Sequence, residues 1–189
     1  MKILKKYLFR RRYTSALKKG NHEHRFVTYD KAKTVFLLLE FDAEKYASFV
    51  SIIESLERDG KEVTTLAYCN KKVEKTLDRR QYPKLNIFSR KSLKYSGKLQ
   101  SNILNRLQKN KIDVLIDLSL RPILPLMYAV LDINADFRIG TTKTTYNLFD
   151  FMIDTNVSAE TGAGKFSPFD EQSVFDQIIF YLKSIQTTD

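Results

Sequence analysis

The residues of this chain whose type and position could support chemistry are two aspartates, Asp42 and Asp117. Each follows a strongly apolar segment, and a carboxylate at the end of a buried strand can act as a general base towards a substrate proton. Both also suit a structural use, in which Asp42 caps a helix and Asp117 caps a turn. The sequence favours the structural use and keeps these two aspartates as the catalytic candidates.

An alternation of strands and helices positions both aspartates. The near-continuous apolar run 34–41 predicts a strand that is buried on both faces. Further strands are predicted over 62–68, 85–89, 113–118, 137–140 and 149–153, with helical spacing of apolar residues between most of them. This pattern predicts a Rossmann-like, doubly wound α/β fold, with a mainly parallel sheet of five or six strands and helices on both faces.

The length of 189 residues suits one such domain. We expect it to span 34–189, after a basic N-terminal helix and linker over 1–33. The helix after the fourth strand is predicted to carry Pro122 in its first turn. The last helix is predicted to start from Ser167 as N-cap, with Pro168 first and Asp170 third in the helix.

Ligands of doubly wound sheets bind beyond the carboxyl ends of the strands. That rule selects the polar residues that follow the predicted strands. The ligand-binding candidates are Glu40, Ser119, Arg121, Thr141, Thr142 and Lys143.

No cofactor and no metal ion are predicted. The turn 40–44 after the first strand has three carboxylates and no glycine, which disfavours a dinucleotide phosphate. Segment 159–167 departs from a P-loop at Ala159 and Phe166 and leaves open only an anion site within 162–165. Two histidines, His22 and His24, are too few for zinc, which needs three or four ligands.

The net charge of +10 is concentrated in two segments. Residues 1–33 hold eleven Lys and Arg against two acidic residues, and 71–98 hold ten against two. Such clusters attract nucleic acid or an anionic membrane surface, and the first helix has the composition of a membrane-surface helix. In 71–98 the basic residues alternate with Tyr82, Phe88 and Tyr95, as in single-strand binding surfaces. A solvated basic face and a protein partner are the alternatives.

The chain reads as a cytoplasmic protein. It has one cysteine, Cys69, which is expected to be a partly buried small hydrophobe, and its basic N-terminus lacks the apolar region of a signal peptide. The longest uncharged apolar run, 123–131 except for Pro125, is much shorter than the roughly 20 residues of a transmembrane helix.

Segment 112–140 resembles part of the N-terminal half of heptosyltransferase-type GT-B glycosyltransferases. The shared features are an apolar strand that ends in Asp-Leu and an Ala-x-x-Arg-Ile-Gly turn, here from Ala135 to Gly140. The resemblance implies a Rossmann-like fold and offers Asp42 as the counterpart of a catalytic aspartate, although Phe41 replaces the glycine that precedes it in that family. The layout also resembles an uncharacterised single-domain bacterial family.

Two functions follow from these observations. The first is a non-catalytic binding or regulatory module that engages an anionic partner through its basic surfaces. The alternative is a small transferase-like enzyme that acts on a sugar or nucleotide at the carboxyl edge of the sheet, with Asp42 and Asp117 in its site. The sequence leaves open whether the chain is an enzyme.

Overall fold

The computed structural model describes residues 2–18, 25–108, 110–155 and 170–185 and contains one six-stranded sheet. The strands are β1 (Thr34–Glu40), β2 (Glu62–Tyr68), β3 (Ile87–Phe88), β4 (Ile112–Asp117), β5 (Ala135–Thr141) and β6 (Phe151–Ile153). Their order across the sheet is β3-β2-β1-β4-β5-β6, and every neighbouring pair is parallel. This is the strand order of a Rossmann fold, so the predicted fold class is confirmed.

Helices cover both faces of the sheet. They are α1 (Lys2–Lys18), α2 (Tyr46–Arg58), α3 (Lys71–Glu74), α4 (Ser101–Leu107), α5 (Leu124–Asp132) and α6 (Glu171–Ser184). Helix α3 is a single turn, and a separate 3-10 turn follows at Arg79–Gln81. Helices α2 and α6 pack on one face, while α1, α4 and α5 pack on the other. No helix in the described ranges has both the length and the apolar character needed to cross a bilayer.

Strand β1 shows why its sequence is apolar without interruption. Val35, Leu37 and Leu39 belong to the core on the α2 and α6 side, and Phe36 and Leu38 belong to the core on the α5 side. Successive side chains of a strand point to opposite faces, so a strand with two buried faces has no polar position. Each of these side chains contributes about 1.5–3 kcal/mol of burial free energy, an upper estimate.

Two predicted helix starts are wrong. Helix α5 begins at Leu124, so the proline in its first turn is Pro125 and not Pro122. Either proline suits a first turn because the N–H it lacks would have no partner there. Helix α6 begins at Glu171 with Asp170 as its N-cap, whose Oδ1 accepts from the Ser173 backbone N at 2.7 Å. The predicted cap Ser167 lies outside the described residues.

The basic helix α1 packs against the α/β layer through one aromatic side chain. Phe9 is 1% exposed and makes edge-to-face contacts with Tyr128 and Tyr146, with ring centroids 5.0 Å apart in both pairs. Such pairs add about 0.5–1.5 kcal/mol to the burial of the rings. Phe9 therefore fixes one side of α1 and leaves its other side in solvent.

Candidate functional site

The strand order reverses direction between β1 and β4, which places the expected ligand crevice at the carboxyl ends of these two strands. Leu38 pairs with Asp117 in the register, and Glu40 pairs with Tyr68 of β2. The side chains that the sequence selected therefore do gather along one edge. They form several separate groups there.

The first group is a buried cluster around Asp117. Its Oδ1 accepts from the backbone N of Ser119 at 2.9 Å and from the Ser119 hydroxyl at 2.6 Å. Lys143 Nζ lies 2.8 Å from Asp117 Oδ2 and also donates to Ser119 Oγ at 2.7 Å. Thr141 joins the cluster by donating to the Ser119 carbonyl oxygen at 3.4 Å. Asp117 thus braces the turn after β4, as its structural use requires.

Burial decides what this cluster can do. The side chains of Lys143 and Asp117 are 2% and 0% exposed, and Ser119 is 1% exposed. Burial lowers the pKa of Lys143, and the Asp117 charge opposes that shift. A hydroxyl beside a lysine can serve as a nucleophile, but Ser119 has no open path to a substrate in this conformation. The cluster is internal bracing.

The remaining candidates at this edge are held in pairs. Arg121 donates from Nε to Glu40 Oε2 at 2.8 Å and from Nη2 to Glu40 Oε1, and this pairing raises the pKa of Arg121. Thr142 donates to Asp154 Oδ1 at 2.8 Å. Asp42 Oδ1 accepts from the Glu44 backbone N at 3.0 Å in the turn that leads to α2. Within the described chain, no hydrogen bond or ion pair connects Asp42 with Asp117.

The other motifs of the sequence add no exposed functional group to the described part of this edge. Cys69 is fully buried, and burial raises the pKa of its thiol, so the side chain is more enclosed than predicted. His22, His24 and segment 159–167 lie outside the described residues.

The second region is a surface that we call the basic face, formed by α1 and residues 90–98. Helix α1 contains seven Lys and Arg and no acidic residue, and 90–98 contain four and none. The two segments are far apart in sequence. They meet in space because both pack along α5.

Asp132, the last residue of α5, joins the two halves of the basic face. Its Oδ1 accepts from Arg12 Nη2 at 3.0 Å and from Lys98 Nζ at 2.9 Å. The turn before Lys98 also rests on α5, since Gly97 lies against Leu124 and Tyr128. One carboxylate thus holds a cation from each segment.

Most cations of the basic face have no such partner. They are solvent-exposed, and within the described part of the chain no carboxylate lies within 4 Å of them. These residues are Lys6, Arg10, Arg11, Lys18, Arg90 and Lys94. The exposed Lys71, Lys72, Lys75 and Arg79 continue the positive charge around the β3 edge.

Of the three aromatics that alternate with the basic residues of 71–98, two pack inside the protein, and Phe88 is a core residue, as its place in a predicted strand indicates. Phe88 is buried, and Tyr82 packs edge-to-face on Phe41 and Tyr46. Tyr95 is 64% exposed beside Lys94 and is free to contact a ligand. On α1, Tyr7 is 60% exposed. The exposed rings of the basic face are therefore few but lie among its cations.

Comparison with known protein families matches residues 5–165 to a family of unknown function, DUF6913. The chain belongs to the DUF6913 family. No curated protein and no solved structure matches it, so the similarity to heptosyltransferases stays a prediction. The DUF6913 match includes most of α1, all six strands and residues 90–98. Both halves of the basic face therefore lie inside the matched region.

Two residues of this DUF6913 chain were missed by sequence reasoning as functional candidates. Asp132 carries no sequence signal, because its importance depends on two distant segments that flank α5. Arg138 is a buried arginine in β5, noted in the sequence only as part of a resemblance. A charged residue inside an apolar strand is the signal that could have identified it.

Proposed function

We propose that the chain is a non-catalytic binding module that engages a polyanionic partner through the basic face. The observation that carries this proposal is the junction at Asp132, where Arg12 of α1 and Lys98 of the second segment share one carboxylate. Two basic segments that are separate in sequence thereby become one surface.

The charge of the surface supports binding more than internal stabilisation. A surface with an excess of positive charge attracts anions over distances of about a Debye length, roughly 10 Å at 0.1 M salt. Each phosphate that a cation neutralises releases bound counterions from nucleic acid. The unpaired cations of the basic face are available for this exchange, whereas Arg121 and Lys143 at the carboxyl edge are not.

Helix α1 also bears charges that its own stability does not favour. Lys6 and Arg10 are four residues apart, a spacing at which like charges destabilise a helix by a few tenths of a kcal/mol. Cations near the helix N-terminus further oppose the helix dipole. An anionic partner would offset both effects, so the cations at these positions would be favourable in a complex although they are unfavourable in the free helix.

The test is binding of the full chain to labelled single-stranded and double-stranded oligonucleotides by fluorescence anisotropy, and to vesicles of anionic lipid by co-sedimentation. We expect at least one of these polyanions to bind at low salt. For a duplex, the logarithm of the binding constant should fall with the logarithm of salt with a slope of about −4 if four or five phosphates are contacted. The absence of binding to all three at low salt would refute the proposal.

Charge-reversal variants assign the binding to a surface. Replacing Arg10 and Arg11 by Glu should weaken binding at least tenfold, since each cation near a polyanion contributes about 1 kcal/mol. The matched control replaces Arg58 and Lys33 by Glu, which changes the net charge equally, away from the basic face. Equal losses in both variants would indicate attraction by net charge alone, against the proposed surface.

The alternative from the sequence, a transferase-like enzyme, receives less support. Asp117 is buried and paired, and Glu40 is engaged by Arg121. Asp42 is the catalytic candidate that stays near the surface, held by a single turn contact. Replacing Asp42 by Asn would have to abolish an activity towards a sugar or nucleotide for this alternative to stand.

A further inference from the structure

A small cavity lies beneath α1, between that helix and the chain that joins β5 to β6. Its volume is about 110 Å³, which is roughly the space of three to four water molecules at liquid density. Arg12 of α1 and Arg138 of β5 both line it, together with Asn147, Phe149 and Asp150. Two arginines from distant parts of the chain therefore line the same small space.

Arg138 is a buried cation with unused donors. It is 9% exposed, and its guanidinium makes one hydrogen bond, from Nη2 to the Ile133 carbonyl oxygen at 3.1 Å. Its buried Nε has no hydrogen-bond partner among the residues described. Burial lowers the pKa of Arg138, and the charge of Asp150 opposes that shift. Burying a charge without direct compensation is unfavourable, so this arrangement is incomplete by itself.

Arg12 repeats the same feature from the other wall. Nη2 is held by Asp132, while the buried Nε has no hydrogen-bond partner within the described part of the chain. The Asp132 carboxylate is shared with Lys98. Asp150, the carboxylate on the cavity wall, accepts from the Arg138 backbone N at 2.8 Å. The cavity lining thus contains two arginines and one carboxylate, and Asp132 pairs with Arg12 from outside the lining.

We infer that this cavity binds a small oxyanion, a phosphate or carboxylate group, between Arg12 and Arg138. The planar fork of a guanidinium group fits the oxygens of such groups, and charge-assisted hydrogen bonds of this kind are stronger than neutral ones. The volume limits the ligand to one such group with little attached to it. Apolar wall residues such as Phe149 lower the local polarity and strengthen the electrostatic attraction.

This site adjoins the basic face, because Arg12 both lines the cavity and takes part in the junction at Asp132. Arg12 is half-buried and lines the cavity, whereas Arg11, the next residue in the chain, is exposed and does not line it. Arg11 and Arg138 therefore distinguish the two functions, because each belongs to one of them. A variant at Arg11 should weaken polyanion binding and spare oxyanion binding.

The test is a titration of the full chain with inorganic phosphate, sulfate or acetate at constant ionic strength, followed by thermal unfolding and isothermal calorimetry. We expect at least one anion to bind saturably and to raise Tm by about 5 °C or more at a hundred times its Kd. Arg12→Gln should lose this rise, and the matched control Arg11→Gln should keep it. An equal rise in both variants would be a general salt effect and would overturn the site.

A second variant covers the case in which Arg12→Gln also disturbs the packing of α1. Arg138→Lys retains the positive charge and removes the fork, so oxyanion affinity should fall at least tenfold while the far-UV spectrum stays unchanged. Unchanged affinity in Arg138→Lys would overturn the assignment. So would the absence of saturable binding of all three anions to the wild-type chain.

Discussion

Lys143 and Arg121 at the carboxyl edge of the sheet contact carboxylates, whereas most cations on the basic face contact none among the described residues. Lys143 is enclosed with Asp117, and Arg121 is held by Glu40. On the basic face, Arg10 and Arg11 extend into solvent, while Arg12 and Lys98 share Asp132 and Lys91 lies 3.7 Å from Glu74. The first arrangement uses charge to fix a turn, and the second keeps charge available.

The difference shows that a charged residue in a sequence can either stabilise the fold through an ion pair or remain available to bind a ligand. Both regions contain polar residues at positions where ligands could bind. Burial and pairing show that the carboxyl edge satisfies its own charges, so its residues have less to offer a ligand. Four variants test this distinction.

The largest effect is expected for Lys143→Met. This change leaves Asp117 as an uncompensated buried carboxylate and should lower the free energy of unfolding by about 3–5 kcal/mol, measured by urea denaturation. Adding Asp117→Leu should restore much of the loss, because an apolar pair of similar size replaces the ions. A change within about 0.5 kcal/mol in the single variant would show that the buried pair does not brace the edge.

Phe9→Ala tests whether the basic face depends on the packing of α1. Loss of a fully buried ring should lower the free energy of unfolding by about 3 kcal/mol and should also weaken polyanion binding. Tyr7→Ala on the exposed side of the same helix is the control and should change stability by less than about 0.5 kcal/mol. Equal stability of the two variants would mean that α1 is not part of the cooperative unit.

Glu40→Gln tests whether an exposed ion pair at the carboxyl edge contributes less to stability than the buried pair of Lys143 and Asp117. Arg121 is largely exposed, so loss of its ionic partner should lower stability by less than about 1 kcal/mol, in contrast to the effect at Lys143. Denaturation at low and high salt checks this, since screening should remove the small difference. A loss comparable to that of Lys143→Met would contradict the role given to burial.

The smallest effect has the opposite sign. Lys6→Glu places an acidic residue four positions before Arg10 and should stabilise the chain by up to about 0.5 kcal/mol. The same change should weaken polyanion binding, because it reverses a charge on the basic face. Stability and binding measured on the same samples would show whether α1 carries charges at the expense of its own stability. A variant that is both less stable and equally able to bind would contradict this.

The sheet could be predicted from the sequence because its signals are local. The apolar run of β1 and the alternation of strands and helices indicate a parallel sheet without knowledge of any contact. The same reasoning placed Glu40, Ser119 and Lys143 at one edge, where the structure has them. It could not show that Glu40 pairs with Arg121 or that Lys143 pairs with Asp117, since pairing depends on side-chain direction and burial.

The basic face was predicted only as two separate segments. Their junction needs α1 and Lys98 to flank α5, which is a property of the packing of distant elements. The cavity between Arg12 and Arg138 is likewise formed by residues more than a hundred positions apart. Helix boundaries were wrong at Pro122 and Asp170 because several neighbouring residues can each cap or start a helix.

The burial of the single cysteine, Cys69, has a practical consequence for thiol labelling. Cys69 is fully enclosed beyond β2, its Sγ donates to the Asn70 carbonyl oxygen at 3.4 Å, and burial raises its pKa. A thiol that is both covered and protonated is unreactive towards alkylating reagents. Its rate of labelling would therefore record how often this part of the sheet opens, and a cysteine introduced elsewhere could carry a probe without competition from the native one.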